Sequence, residues 1–463
     1  MARHAVLADL KLPEFGMPTT QPSLTEDIYL NRLERLRKKC SGKYTHVFVY
    51  GDREHGANIA YLTGFDPRFE EAALVVDIDG DEQWIMVGNE GMGYLEVSPI
   101  KEHLQPVLYQ PFSLLGQDRS MSSPLKDILQ DTGMTRNSTI GVAGWKYYSS
   151  KETETPDQWM EVPSYLVDTL RVVSSEVSNA TEVFMHQTEG LRATYEVEQL
   201  AMFEYAATLT SQAVRNVIFN IKPGMTEYEA VQLMKLNGYP HSVHLMLSTG
   251  ERAWMGLPSP SSKEIQKGEA FTTAFGLVGA LNCRAGWLLE NESQLPSKIR
   301  DYVPKLAAPY FEAVVDWYEL MGIGTTGGDL YKAVHDKIGD PFYGVELNPG
   351  HLIGLDEWVN SPIYEGSKDR IKPCMAIQVD IIPGTGTEYF TINTEDGIAI
   401  GDQGTRNSLM EHYPEAMDRI IARRDYMVDE LGIMIKPEVL PFSNLAGHLP
   451  PFILNPGRAF RME

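Results

Sequence analysis

The sequence predicts an α/β (α+β) protein of two domains. Its 463 residues exceed what one compact core usually holds. Helical and strand-like stretches alternate as far as Val173, and beyond Ala193 long helical patterns flank strand pairs punctuated by glycine turns. We therefore expect a smaller mixed α/β domain over residues 1–175 and a larger domain over 176–463, ending in an apolar, proline-rich tail.

The elements follow in order. After a Pro-punctuated leader (Leu12 to Pro22), Thr25 suits the N-cap of a helix over about Ile28 to Lys39. Its apolar residues Ile28, Leu33 and Leu36 share a face, and Arg37, Lys38 and Lys39 suit its C-terminal dipole. Strands are expected at His46–Tyr50, Ala72–Ile78 and Gln83–Val87, the last two joined by the turn Asp79-Gly80-Asp81. A long helix opens near Ala193 and stops at Lys222-Pro223-Gly224. Thr226 and Glu229 then have capping-box spacing for the next helix. Later strands are expected at Ala270–Leu277, Leu281–Leu289, Ala376–Ile382 and Gly397–Ile400. The later helices are expected at Ser297–Met321, Asp329–Lys337 and Pro414–Leu431.

Composition narrows the function. Asp and Glu number 63 against 40 Lys and Arg, a net charge of -23, which repels phosphate backbones and anionic membrane surfaces. No nucleic-acid or membrane partner is expected. No apolar run approaches the roughly 20 residues that span a bilayer, and the N-terminus lacks the apolar core of a signal peptide, so a cytoplasmic location is expected. Three cysteines (Cys40, Cys283, Cys374) without a CxxC pair support neither a disulfide framework nor a cysteine zinc site.

Five segments in the C-terminal half then carry a resemblance. They are Lys222-Pro223-Gly224-Met225-Thr226-Glu227, Lys267-Gly268-Glu269-Ala270, Gly350-His351-Leu352-Ile353-Gly354-Leu355-Asp356, Ile371-Lys372-Pro373-Cys374-Met375 leading to Asp380, and Thr394-Glu395-Asp396-Gly397. In this order and spacing they resemble the pita-bread family of prolidase, aminopeptidase P, methionine aminopeptidase and creatinase. Asn58-Ile59-Ala60-Tyr61-Leu62-Thr63-Gly64-Phe65 is similar to the N-terminal domain of its two-domain members. The resemblance implies a curved antiparallel sheet flanked by helices, preceded by a smaller creatinase-type domain.

It also implies a site, which this sequence alters. The metallopeptidases of the family hold two metal ions with two aspartates, a histidine and two glutamates. The aspartate positions are Ala274 and Ala285 here. The histidine is kept as His351, the first glutamate is shortened to Asp380, and the second is kept as Glu395. A methyl group offers no lone pair, so a dinuclear site and a metal cofactor are not expected. A single ion on His351, Asp380 and Glu395 is the alternative. Creatinase works without metal and also has alanine at the second aspartate position, which places the chain nearer that branch. The histidine serving creatinase as acid/base aligns with Leu257, and a second peptidase histidine aligns with Trp358, so neither proton shuttle is in its usual place.

His351, Asp380 and Glu395 are thus the expected catalytic residues. Trp254, Trp287 and Trp358 lie near family site positions and suit a flat or cationic ligand, or simply fill the vacated volume. His241 and His244 precede the hairpin and are expected to reach the site from its rim and bind substrate, sharing a face only if their segment is helical. Cys283 and Cys374 read as structural. Family dimers pass an N-terminal loop into the neighbouring site. The charged segment around Arg53 and Arg68 occupies that part of the chain, which implies a homodimer in which Arg68 binds a substrate carboxylate. The leading expectation is a metal-independent, creatinase-like hydrolase of a C–N bond in a small polar nitrogen-containing metabolite. The alternatives are a catalytically inactive relative that binds a small ligand or peptide, and an Xaa-Pro peptidase with a minimal metal set.

Overall fold

The computed structural model describes residues 3–357 and 359–463. The chain divides into two compact units, Leu24–Ala193 and residues up to Ser23 with Thr194–Glu463.

In the first unit the helix Glu26–Cys40 buries Tyr29, Leu33, Leu36 and Cys40 on one stripe, with Glu26 and Asp27 in its first turn and Arg37, Lys38 and Lys39 in its last. A six-stranded mixed sheet runs in the spatial order Gln105–Leu108, Gln83–Val87, Ala72–Asp77, His46–Gly51, Thr139–Ala143 and Glu176–Asn179. The expected hairpin forms. Asp77 Oδ1 accepts from the backbone N–H groups of Asp79 and Gly80, both at 3.1 Å, which fixes the turn between its two strands.

The division differs from the expected boundary at residue 175, and the leader departs from the expected first domain. Strand Ala5–Asp9 pairs antiparallel with Arg458–Met462 at the far end of the chain. Leu12 and Phe15 are buried, and the Arg215 guanidinium donates to the carbonyl oxygens of Leu12 and Pro13 and to the Glu14 carboxylate. The leader is thus a structural part of the larger unit.

That unit is built on antiparallel strands in the order His351–Leu352, Ala376–Asp380, Asn393–Ile400, Ala280–Trp287, Ala270–Leu277 and Met246–Thr249. Val439–Pro441 adds to one end of Asn393–Ile400. The strand expected at Gly397 begins four residues earlier, because Asn393, Thr394 and Glu395 pair with Ala285, Arg284 and Cys283. The long helix Val197–Asn220 packs on this sheet. Its buried Glu204 holds Arg419 (Nη2 to Oε2, 2.5 Å) and Arg423 (Nη1 to Oε1, 2.7 Å) of helix Pro414–Asp425. Thr226 and Glu229 form the expected capping box.

The helix expected over Ser297–Met321 is broken into a short turn, a wide π-type turn at Val303–Ala307 and the helix Ala308–Leu320. Pro304 and Pro309 remove the backbone donors that one continuous helix needs. A helix over Gln403–His412, not read from the sequence, is capped by Asp402 Oδ1, which accepts from Thr405 N at 2.8 Å.

Alternation along two central strands separates site from scaffold. Asn282, Arg284, Thr394 and Asp396 are buried on the back face. There Arg284 Nη2 reaches both Asp396 oxygens (3.1 and 3.0 Å) and the Leu445 carbonyl (2.7 Å), locking the C-terminal tail to the sheet. Cys283, Ala285, Asn393 and Glu395 alternate with them and face a cavity. No helix among the described residues is long and apolar enough to cross a membrane.

Candidate active site

The front of this sheet lines a cavity of about 810 Å³. One cross-strand row supplies its floor. Met246 pairs with Ala274, Ala274 with Cys283, Cys283 with Glu395, and Glu395 with Asp380. Residues directly opposite in a sheet project to the same side, so a single register brings residues from five strands together. A second row, two residues along, adds Thr272, Ala285 and Asn393.

His351 enters from the edge strand. Gly350 before it has φ +128°, and a Cβ there would meet the Gln378 carbonyl oxygen at 2.8 Å, so glycine is required for this approach. His351 Nδ1 lies 3.0 Å from the Leu352 carbonyl oxygen, which only accepts, so Nδ1 carries the proton and Nε2 faces the cavity. Nε2 stands 3.7 Å from Asp380 Oδ2 and 3.9 Å from Glu357 Oε1.

The electrostatics are those of crowded, buried carboxyl groups. Burial, then the neighbouring Asp380, push Glu395 well above the usual carboxylate range, against hydrogen bonds from Cys283 and Asn393. Asn393 Nδ2 donates to Glu395 Oε1 at 3.2 Å. Asp380 is raised by burial, opposed by His351 and by a hydrogen bond with Glu395, and its buried Oδ1 has no hydrogen-bond partner. Glu357 is raised by burial and lowered by His351. The shift at Glu395 is thus towards its protonated, donor form, and His351 Nε2 opens between two acceptors.

The three expected catalytic residues therefore converge, and both alanines face them. Glu357 was missed in the sequence, although it sits one residue past Asp356 of the Gly-His segment. Cys283 is buried and hydrogen-bonded to Glu395, and burial pushes its thiol well above the ordinary range, which disfavours the thiolate. Cys374, at a glycine position of the resemblance, takes the left-handed conformation that position demands (φ +64°).

Other expected residues are placed differently. Trp254 lines the cavity with its ring 5.3 Å from Phe390, whereas Trp287 is buried behind Phe390 (6.1 Å) against Tyr302 (6.2 Å) and lies outside the lining. It shares the strand face of Ala285, but two residues along it has passed the cavity's end. Phe390 is held at φ +61°, a strained conformation for an aromatic residue that sets its ring in the wall. His241 and His244 are also outside the lining. His241 pairs with Leu277 and packs on Phe275, and His244 Nε2 donates to the Leu257 carbonyl at 2.9 Å. The segment is extended, not helical, so their spacing of three does not align them. Leu257 itself does line the cavity. Trp358 lies outside the described residues. Arg68 belongs to the Leu24–Ala193 unit, where Nε stands 3.4 Å from Asp66, and Arg53 pairs with Glu54.

The two-metal set of the resemblance does not fit. Two of its five positions are methyl groups directed at the cavity, and Glu395 is engaged by Asn393, Cys283 and Asp380. Among the described residues no group of three or more His, Cys, Asp or Glu side chains is arranged to hold an ion.

Comparison with known proteins identifies the scaffold. An Xaa-Pro dipeptidase from Bacillus anthracis superposes with a TM-score of 0.60 at 15% identity, covering 80% of this chain and 94% of that one. The fold is pita-bread. A prolidase from Pyrococcus furiosus gives a TM-score of 0.57 at 20% identity, over 79% of this chain and 96% of its own. Residues 201–403, which include the strands from Met246–Thr249 to Asn393–Ile400, match metallopeptidase family M24. The uncharacterized peptidase YqhT of Bacillus subtilis (strain 168) is 24% identical over 255 residues, 53% of this chain and 69% of that protein.

Proposed function

We propose that this M24-like protein is a hydrolase of a C–N bond in a small, polar, nitrogen-containing metabolite, working through side-chain acid/base chemistry. The observation that carries the reading is the pairing of loss with retention. Ala274 and Ala285 stand at the aspartate positions, while His351, Asp380 and Glu395 still converge on the cavity. In this mechanism Glu395, as the protonated carboxyl, donates to and polarises the scissile group. His351 Nε2 takes a proton from the attacking water, whose oxygen forms the new bond to carbon, and passes it to the leaving nitrogen as the C–N bond breaks, with Asp380 and Glu357 beside the imidazolium. The separations of 3.7 and 3.9 Å exceed hydrogen-bond distance, so neither carboxyl group holds Nε2 directly.

The lining further favours a neutral or positively charged substrate nitrogen. Three carboxyl groups and an imidazole line the cavity with Trp254 and Phe390, and among the described residues no Lys or Arg does. The relatives named above are peptidases, which supports an amide bond over a guanidino one. Turnover of small amides that persists in excess chelator is the expected result, and complete loss with chelator and recovery with Mn²⁺ or Zn²⁺ would overturn it. That second outcome is the Xaa-Pro peptidase reading, favoured by the dipeptidase and prolidase among the structural relatives. Absence of turnover with retained ligand binding would point instead to an inactive, ligand-binding relative.

A homodimer completes the proposal. We propose that Arg68, partly exposed beside Asp66, binds a substrate carboxylate of the neighbouring site, a charge that the described lining of the cavity does not pair. Arg68→Ala then raises KM by about tenfold or more with an unchanged melting temperature. An unchanged KM removes Arg68 from the site.

A further inference from the structure

At about 810 Å³ the cavity stands towards the upper end of small-ligand sites, more than a nitrogen-bearing head group alone fills. Its two ends differ in chemistry. Glu395 and His351, at the floor, are buried. Trp254, Met255, Leu257 and Leu347 also line the cavity, and each is between 47% and 67% exposed. A single exposed apolar side chain is ordinary on a protein surface, but four around one cavity mark where a ligand is covered.

Three of the four come from one short segment, and several contacts hold it. Gly256 takes φ +72° and its N–H donates to the Ala253 carbonyl at 3.0 Å. The chain therefore turns between Met255 and Leu257, and both reach the lining. Arg252 Nε lies 3.2 Å from Oε2 of the buried Glu227, and its Nη2 donates to the Ser259 carbonyl at 2.6 Å. His244 Nε2 anchors the Leu257 carbonyl. Phe390 meets Trp254 at 5.3 Å, and its strained backbone is braced by Thr385 Oγ1, which donates to the Phe390 carbonyl at 2.7 Å. A fixed apolar shelf costs a ligand little ordering when it binds.

We propose that the substrate of this site has an alkyl or aryl body, which lies on the shelf of Trp254, Met255 and Leu257 while its nitrogen-bearing head meets the carboxyl groups of the floor. The proposal rests on the function proposed above and adds an apolar half to that substrate. Continuity with the site commits the shelf to the substrate rather than to a second copy of this chain.

Two methionines report on the two ends. Met246 is buried in the floor row beside Ala274, and Met255 is exposed on the shelf. The test is titration of the full-length protein, labelled with ¹³C at its methionine methyl groups, with propanamide, hexanamide and hexanoate. Hexanamide moves both methyl signals and binds at least about tenfold tighter than propanamide, since each buried methylene adds affinity. Hexanoate, with the same body and an anionic head, binds at least about tenfold weaker than hexanamide, because the floor is acidic. Leu257→Ser, at an exposed position, weakens hexanamide by about threefold or more and leaves propanamide unchanged.

Equal binding of propanamide and hexanamide, equal binding of hexanoate, a shift confined to one of the two methyl groups, or no saturation by about 50 mM hexanamide overturns the proposal. Wild-type hexanamide affinity in Leu257→Ser also overturns it, and a halved mass in sedimentation then assigns the shelf to a second copy. Binding is read without turnover, so a failure of the hydrolase reading, seen as absent turnover of amides, leaves these outcomes standing.

Discussion

Asp380→Asn and His351→Ala each lower kcat on the cognate substrate by about 10²- to 10⁴-fold, the range expected when a positioned acid/base group is lost. Both groups line the same cavity and face each other at 3.7 Å, so the double variant is little worse than either single one. Glu395→Gln behaves differently. Burial and the adjacent Asp380 raise Glu395, and glutamine copies the shape and donor capacity of its protonated form. A carboxyl group raised in the fold contributes stability that is present at low pH and is lost as pH rises from its unfolded value towards the raised one. Glu395→Gln should therefore equal or exceed the wild type in melting temperature above neutral pH, while losing less activity than Asp380→Asn. Kinetics together with melts at acid and alkaline pH check both halves. A Gln variant that is strongly destabilised at alkaline pH contradicts that shift.

Arg284→Met costs about 3–5 kcal/mol of unfolding free energy. Arg284 and Asp396 are almost wholly buried, and Nη2 contacts both carboxylate oxygens. Removing the guanidinium strands a buried carboxylate and also frees the Leu445 and His448 carbonyls that it anchors. Asn282 still donates to Asp396 Oδ1, which limits the loss without replacing the charge. The double variant Arg284→Met, Asp396→Leu recovers much of the deficit, since an apolar pair of similar volume leaves no charge behind. Denaturant unfolding measures both, and a loss below about 1 kcal/mol in the single variant would show the pair to be solvated.

Why some of this was legible in the sequence is physical. The strands Ala270–Leu277 and Gln83–Val87 have the bounds their patterning predicts, because apolar runs bounded by glycine or charged turns leave few alternatives. The ordered segments around His351, Asp380 and Glu395 marked residues that the sheet register then brings together. Glu357 was hidden because it lies in an irregular segment, where no periodicity says which way a side chain points. Trp287 was misplaced for a related reason, since strand parity gives the face but not where along the strand the cavity ends. The leader's place in the larger unit depends on pairing between Ala5–Asp9 and Arg458–Met462, a contact between chain ends that no local pattern encodes.

We propose that the M24-like scaffold here carries a site rebuilt without the two-metal set of the family it resembles. The most direct test is elemental analysis of protein purified without chelator after expression with Mn, Zn, Co and Fe supplied. The predicted content is less than about a tenth of an equivalent of any of these metals per chain, because two alanines leave too few donors for tight binding. One equivalent or more, lost together with activity on His351→Ala, would contradict it and return the site to metal-assisted hydrolysis.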